Sequence, residues 1–167
     1  EAFQNCKTDK KLVIAGGAES NKEYYNSLLE LARGDKRILF TGYVFGQEVQ
    51  ELYSNAYIFA LPSNLEGMAN ALLEAMGYGN CCLISDIPEN TEVVNDKAVW
   101  FEKGNSNDLE VKLQHLLDKP NVVEKYKDEA SNYILNKYSW DLVVDQMIRV
   151  YSGDVVDYNK VLKEKCL

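Results

Sequence analysis

The sequence has little of what a nucleic-acid-binding surface or a metal centre needs. Its 18 lysines and arginines are outnumbered by 26 aspartates and glutamates, which gives a formal net charge of -8. Because phosphate backbones are bound by clustered Lys and Arg, we expect no nucleic-acid partner. The chain has one histidine and no Asp-x-Asp pair, so it offers no obvious ligand set for a metal. We therefore expect neither a metal nor any other cofactor.

Cysteine and long apolar runs are also scarce. The four cysteines, Cys6, Cys81, Cys82 and Cys166, have neither the CxxC spacing of a zinc site nor the density of a disulfide scaffold. Cys81 and Cys82 lie in an apolar run, which predicts buried, reduced thiols and suits the cytosol. No run approaches the roughly 20 apolar residues that a membrane span needs, so we expect no transmembrane segment.

The length of 167 residues and the hydrophobic fraction of 46% are those of an ordinary globular domain. We predict one domain over residues 1–152 and a C-terminal tail or helix over residues 153–167. The first residue is Glu1, and the residues after it have the spacing of a helix already under way. We therefore expect the chain to start inside a longer protein and to carry no signal peptide.

Short apolar runs alternate with helical patterns along the first hundred residues. Each run is followed by a glycine- or proline-containing loop, and a capping residue such as Ser20 opens the helix after the first one. Such alternation predicts a parallel sheet of five or six strands with helices on both faces, in a Rossmann-like α/β fold. The predicted strands are Leu12–Ala15, Arg37–Thr41, Tyr57–Leu61, Cys81–Ser85 and Ala98–Phe101. Three helices are predicted to follow: the first is capped at Asn107, the second starts at Pro120 and the third is capped at Ser139.

The third strand–loop–helix unit carries the residues with the most chemistry. In open α/β sheets, ligands bind beyond the carboxyl ends of the strands, where the loop Pro62–Gly67 belongs. A helix predicted from about Met68 to Tyr78 would present unpaired N–H groups there, suited to a diphosphate. Glu66 lies just before this helix and Glu74 within it. Eight residues of helix return to within about 80° of the starting direction, so both carboxylates can face one cleft.

The stretch LPSNLEGMANALLEAMGYGNCCLISDIPENTEVV resembles the donor-site region of the family-four retaining glycosyltransferases, with their Glu-x7-Glu motif at Glu66 and Glu74. The segments LVIAGG, ILFTGYV, ELYSNAYIFALPS and KYSW also match the C-terminal domain of that family in order. The resemblance covers most of the chain. It implies the nucleotide-sugar-binding C-terminal half of a GT-B architecture, a doubly wound parallel sheet followed by C-terminal helices.

The resemblance also implies a role for each matching residue. Glu74 would bind the ribose hydroxyls of the nucleotide, and Glu66, the candidate catalytic residue, would contact the donor sugar near the reacting carbon. The remaining candidates are backbone groups and loop residues that would contact the phosphates, the sugar hydroxyls, the base or the cleft floor. They are Gly16, Gly17, Tyr43, Val44, Gly67, Met68, Ala69 and Asn70.

Two departures from the family pattern bear on function. Many members have a further glycine after the Glu-Gly of the motif, where this chain has Ala69-Asn70, and that change could alter sugar choice. The phosphate-binding Arg and Lys of the family, and its acceptor-binding N-terminal domain, would lie upstream of Glu1. We therefore expect a hexosyltransferase half that is inactive alone.

The implied donor is a UDP- or GDP-linked sugar, and the implied acceptor is a glycan or a lipid-linked hydroxyl bound by the absent half. The implied location is the cytoplasm, or the inner membrane face through that half. Three alternatives stay open: a sugar-nucleotide epimerase of GT-B architecture, a non-catalytic nucleotide-binding module, and a phospho-receiver domain. The receiver would need acidic residues after its first strand, where this chain has Gly16-Gly17.

Overall fold

The computed structural model describes residues 1–17 and 21–153. Strands alternate with helices, and every pairing between two strands is parallel, as the apolar runs predict. The strands are β1 (Leu12–Ala15), β2 (Ile38–Gly42), β3 (Phe59–Leu61), β4 (Cys82–Ser85) and β5 (Val99–Phe101). The helices are α1 (Ala2–Asn5), α2 (Lys22–Leu31), α3 (Gln47–Asn55), α4 (Asn70–Gly77), α5 (Pro88–Val94), α6 (Ser106–Asp118), α7 (Pro120–Tyr138) and α8 (Trp140–Tyr151).

The five strands form two parallel ladders, whereas the sequence analysis predicts one continuous sheet. One ladder pairs β1 with β2, and the other has the order β3-β4-β5. Within the described residues, no ladder joins β1 to β3. Parallel strands pair only where two backbones run about 4.8 Å apart over several residues. β3 has three residues, because it begins at Phe59 and not at the predicted Tyr57, so it offers a neighbour a short edge.

The core lies on both faces of β4, which is buried along its whole length. Successive side chains of a strand point to opposite faces. Accordingly Cys82 and Ile84 pack with α4, α5 and α7, while Cys81 and Leu83 pack with Leu116 of α6 and the start of α7. Both cysteines are free and fully buried, as predicted. Burial raises the pKa of the Cys81 thiol to about 12, so it stays protonated at neutral pH.

The β1–β2 ladder is covered mainly on one face. Tyr25 of α2 packs edge-on against Phe40, with ring centroids 5.8 Å apart. On the other face the cross-strand neighbours Val13 and Leu39 are 39% and 40% exposed. The N-cap of α2 is Asn21, whose side chain accepts a hydrogen bond from the Tyr24 N–H. The predicted cap, Ser20, lies outside the described residues.

The three C-terminal helices start at capping residues or proline. Asn105 caps α6, and its side chain accepts from two backbone N–H groups; the predicted cap Asn107 is wrong, because that residue lies inside the helix. Pro120 opens α7 and Ser139 caps α8, as predicted. Within the described residues no helix combines the length and apolar character needed to span a membrane. The predicted tail of residues 153–167 lies outside the described residues except for Gly153.

Candidate functional site

The loops after β1 and β2 meet at the carboxyl ends of those strands. The Gly16 N–H donates to the Gly42 carbonyl at 2.8 Å, and both glycines have positive φ, which other residues rarely adopt. The next residues, Gly17 and Tyr43, are packed together: a Cβ added to Gly17 would lie 2.4 Å from Cε2 of the Tyr43 ring. Tyr43 also stacks on Phe45, with 6.2 Å between ring centroids. Three predicted site residues, Gly16, Gly17 and Tyr43, therefore come together.

Substituting Gly17 with Ala is expected to displace the Tyr43 ring, because the new methyl group and the ring cannot occupy the same space. Tyr43 is 53% exposed and can rotate away, so the free energy of unfolding should change by less than about 1 kcal/mol. If Tyr43 flanks the nucleotide base, UDP or GDP affinity should fall by several-fold, which calorimetry can measure. A double variant that also carries Tyr43→Ala should lose no more affinity than Tyr43→Ala alone.

The loop after β3 leads into α4, which begins at Asn70, two residues later than predicted. The first helical i to i−4 bond runs from the Leu73 N–H to the Ala69 carbonyl at 3.1 Å, and the Asn70 N–H donates to the Met68 carbonyl at 2.9 Å. Within the described residues, the N–H groups of Gly67, Met68, Ala69 and Ala71 have no protein acceptor. Free N–H groups at the positive end of a helix dipole form an anion-binding site.

The side chains of this turn differ in what they can contact. Ala69 is 3% exposed as a whole residue, so its backbone is buried together with its side chain, whereas Met68 is 57% exposed. Gly67 has open space where a Cβ would lie, so the backbone there is accessible. Of the predicted contacts through backbone N–H groups, those at Gly67 and Met68 thus have donors in exposed residues, whereas the Ala69 N–H is buried. The Asn70 N–H is already used, and this residue keeps only its exposed side chain for a ligand.

Glu66 is held by a short hydrogen bond in the loop that precedes α4. The Ser63 hydroxyl donates to Glu66 Oε1 at 2.6 Å, and the Ser63 carbonyl accepts from the Ser85 hydroxyl at 2.5 Å. Ser85 is the last residue of β4 and is buried. The Glu66 carboxylate is half-buried. The loop after β3 is therefore tied to the carboxyl end of β4, and this tie orients Glu66.

Glu74 has a different neighbourhood. It is exposed on α4 and lies beside the phenol of Tyr53 on α3, without a hydrogen bond of good geometry between them. Burial raises the pKa of Tyr53 to about 12, and the Glu74 carboxylate adds to that rise. Because Glu66 lies in a loop and not in the helix, the predicted return to within about 80° over eight helical residues does not relate the two carboxylates. Their contacts are with different elements, Ser63 for Glu66 and Tyr53 for Glu74.

An open surface depression of about 620 Å³ lies between the loop after β2 and α3. Tyr43 and Val44, both predicted site residues, are among the residues that line it. None of the α3 residues that line it is a predicted site residue, although their spacing of three and four places them on one helix face. The α3 residues in the lining are Glu48, Glu51, Leu52 and Asn55.

The candidate residues thus form two groups at the carboxyl ends of the strands. One surrounds the ends of β1 and β2, and the other surrounds the start of α4. No hydrogen bond among the described residues joins the two groups.

A model of the family described as "Glycosyl transferases group 1" matches residues 1–150. The chain belongs to this family. As a glycosyl transferases group 1 domain it is similar to an uncharacterized glycosyltransferase of Methanocaldococcus jannaschii, at 26% identity over 143 residues, covering 84% of this chain and 36% of the relative. It is also similar to the O-antigen chain mannosyltransferase RfbU of Salmonella typhimurium, at 23% identity, covering 73% of this chain and 34% of that relative.

Solved structures confirm the fold of this glycosyl transferases group 1 domain. The crystal structure of Anabaena HepE in complex with UDP and glucose has a TM-score of 0.83 at 15% identity, covering 91% of this chain and 43% of that one. The fold is therefore the Rossmann-like fold of a GT-B protein. The chain spans about a third of the length of the curated relatives named above.

Proposed function

We propose that this chain is the donor-binding half of a retaining glycosyltransferase, which moves a sugar from a UDP- or GDP-linked donor to a hydroxyl acceptor. The acceptor is a glycan or a lipid-linked hydroxyl, bound by the N-terminal half, in glycan or cell-surface polysaccharide synthesis. The proposed place of action is the cytoplasm, or the inner membrane face where a lipid-linked acceptor would be met.

The arrangement at the start of α4 carries this proposal. Gly67, Met68 and Ala71, all exposed residues at the N-terminus of α4, have N–H groups with no acceptor among the described residues, and the oriented Glu66 carboxylate directly precedes them. A diphosphate would accept hydrogen bonds from these N–H groups, with the helix dipole favouring its charge. A carboxylate beside the diphosphate can accept bonds from sugar hydroxyls and stabilise positive charge at the reacting carbon. Diphosphate and sugar are thus recognised by adjacent parts of one loop.

The named relatives support the same reading. RfbU carries the name of a mannosyltransferase, and HepE was crystallised with UDP and glucose, and separately with UDP-glucose. The names of these relatives do not support an epimerase. An epimerase would also need an acid and a base in the cleft, whereas the one histidine of the chain, His115, lies on α6 and in neither candidate group. A non-catalytic module would keep nucleotide binding and lack turnover, so activity separates it from the proposal.

The proposal is tested with the full-length protein that contains this chain. UDP-glucose, UDP-N-acetylglucosamine and GDP-mannose are supplied in turn with a panel of hydroxyl acceptors, and release of nucleoside diphosphate is measured. At least one pair should react, and the product should keep the anomeric configuration of the donor. Binding of nucleotides without turnover for any pair would favour the non-catalytic module, and inversion would contradict the retaining class.

Replacing Glu74 with Ala is expected to weaken UDP or GDP binding about ten-fold, since a hydrogen bond to a charged group contributes about 1.5–3 kcal/mol. Its exposed carboxylate is available to the two ribose hydroxyls, which occur in the nucleotide and in the nucleotide sugar alike. Glu66→Ala is the matched control, because Glu66 would meet only the sugar. Calorimetric titration of each variant with the free nucleoside diphosphate makes the comparison. Equal losses in both folded variants would show that the roles are divided wrongly.

Chelation of divalent cations is expected to leave nucleotide affinity unchanged within about two-fold, because backbone N–H groups and a helix dipole would hold the diphosphate. Within the described residues, no group of three or more His, Cys, Asp or Glu side chains could hold a metal ion. Titrating UDP or GDP with EDTA and then with Mg²⁺ makes the comparison. A loss of affinity of ten-fold or more in EDTA that Mg²⁺ restores would mean that a metal bridges protein and diphosphate.

A further inference from the structure

A chain of hydrogen bonds runs from the buried side of α5 to the Glu66 carboxylate. Asn90 Nδ2 donates to Ser85 Oγ at 3.2 Å and to the Ser85 carbonyl at 3.4 Å. Ser85 Oγ donates to the Ser63 carbonyl, and Ser63 Oγ donates to Glu66. The start of α5 and the end of β4, which are adjacent in sequence, are connected in this way to the loop after β3, 22 residues earlier.

The direction of these hydrogen bonds follows from the chemistry of each group. A serine hydroxyl has one proton, and Ser85 uses it on the Ser63 carbonyl, so its oxygen is left to accept from Asn90. Only the amide nitrogen of Asn90 can face Ser85, because the Ser85 carbonyl is also an acceptor and would repel the amide oxygen. Asn90 therefore holds the Ser85 hydroxyl in the orientation that fixes Ser63.

Packing alone does not explain an asparagine at this position. Asn90 and Ser85 are 0% and 1% exposed, and the neighbouring Val93 and Val94 belong to the apolar core. The amide oxygen of Asn90 is buried and has no hydrogen-bond partner among the described residues. A buried acceptor without a partner destabilises the fold, and such groups in native proteins call for a specific reason. The two hydrogen bonds that the amide nitrogen donates to Ser85, which in turn connects to Glu66 through Ser63, provide such a reason.

We propose that Asn90 and Ser85 are positioning residues that hold the loop from Ser63 to Glu66, and with it the Glu66 carboxylate, in the geometry that catalysis needs. This inference rests on the proposed function of Glu66. Both residues are buried, so neither would touch the donor. Their contribution is preorganisation, since a reacting group that is held in place before the substrate binds loses less entropy in the transition state.

The first test is kinetic and uses the full-length protein with UDP-glucose or GDP-mannose, whichever it turns over. Asn90→Leu, which keeps the branched shape in a larger volume and lacks the amide, and Ser85→Ala should each lower kcat about ten-fold, with KM and UDP affinity within about two-fold. The double variant should lose no more kcat than Ser85→Ala alone, because both residues act through the Ser85 hydroxyl. In a Glu66→Ala background neither change should cost further turnover. Equal losses in both backgrounds would overturn the proposal.

A matched control lies one residue away on the same helix. Thr91 donates its hydroxyl to the Pro88 carbonyl and has no bond toward Glu66. Thr91→Ala should leave kcat unchanged. Ser63→Thr, which keeps the hydroxyl at a half-buried site, should keep most of the turnover that Ser63→Ala loses. If Thr91→Ala lowers kcat as much as Asn90→Leu does, disturbance of α5 and not positioning is the cause.

The second test needs no turnover, so it separates this inference from the proposed function. Hydrogen exchange of the full-length protein, followed by mass spectrometry, reports local opening of the loop of residues 62–67. Exchange there should be about ten-fold faster in Asn90→Leu and Ser85→Ala and unchanged in Thr91→Ala. Unchanged exchange in all three overturns the positioning role even if the protein is a transferase. Faster exchange in a protein without turnover upholds the loop tie, and the assignment of function to Glu66 then fails.

Discussion

Replacing Glu66 with Gln in the full-length protein is expected to lower kcat by about 100-fold or more, while UDP or GDP affinity stays within about two-fold. Glutamine keeps the volume of glutamate, and its carbonyl oxygen can still accept the bond from the Ser63 hydroxyl. The change therefore removes the negative charge and leaves the loop in place. Preorganised groups that stabilise charge in the transition state typically contribute this much to turnover.

The matched control for that substitution is Glu124→Gln, the same loss of charge at an exposed position on α7. It should leave kcat and nucleotide affinity unchanged. Steady-state kinetics on the three proteins, with calorimetric titration of the free nucleotide, separates the two contributions. A loss of less than about three-fold in kcat for Glu66→Gln would remove Glu66 from the catalytic role and leave it as a group that only orders the loop.

The fold was largely predictable because its pattern is local. A parallel strand covered on both faces needs a short, nearly continuous apolar run, and Cys81 to Ser85 is one. Helix starts at Pro120 and Ser139 were also predictable, since proline and serine favour those positions for reasons that lie within one turn. The start of α6 was misplaced by the same reasoning, because Asn105 and Asn107 both fit a cap and only the backbone conformation decides between them.

The candidate site was predictable in part. The resemblance to a family singled out Glu66 and Glu74, whose roles stay predictions, and strand polarity predicted that the loops lie at one edge. The hydrogen bonds of the site could not be predicted, since Ser63 and Ser85 are 22 residues apart and their contact depends on the exact crossing of two strands. The same holds for Glu74 and Tyr53, which α3 and α4 bring together. Side-chain contacts between distant segments leave no periodic pattern in a sequence.

The division of the sheet into two ladders was likewise not predictable from patterns. Apolar runs indicate that strands exist and that both faces are covered, but they do not give the order of strands in a sheet. The two ladders differ in burial: β4, in the ladder that contains β3, is buried along its length, whereas β1 in the other ladder is half-exposed. Glu66 and α4 follow β3 in the more deeply buried ladder, and α4 packs against β4. The packing of this ladder therefore has to be stable for the site to keep its geometry.

Replacing Leu72 with Ala is therefore expected to cost about 2.7–5 kcal/mol in free energy of unfolding, the range for a buried leucine that leaves a cavity. Leu72 is 0% exposed and lies in the cluster that joins α4 to Ile84 of β4 and Ala130 of α7. Small domains have a total stability of about 5–15 kcal/mol, so this one change could remove half of it.

Leu135→Ala on α7 is the matched control, since that side chain is 56% exposed and its loss should cost less than about 1 kcal/mol. Urea denaturation of both variants measures the difference, and Leu72→Met, which nearly conserves volume, should recover most of the loss. Equal losses at the two positions would mean that α4 is not held by this cluster, and the rigid placement of its N-terminus beside Glu66 would then lack its support.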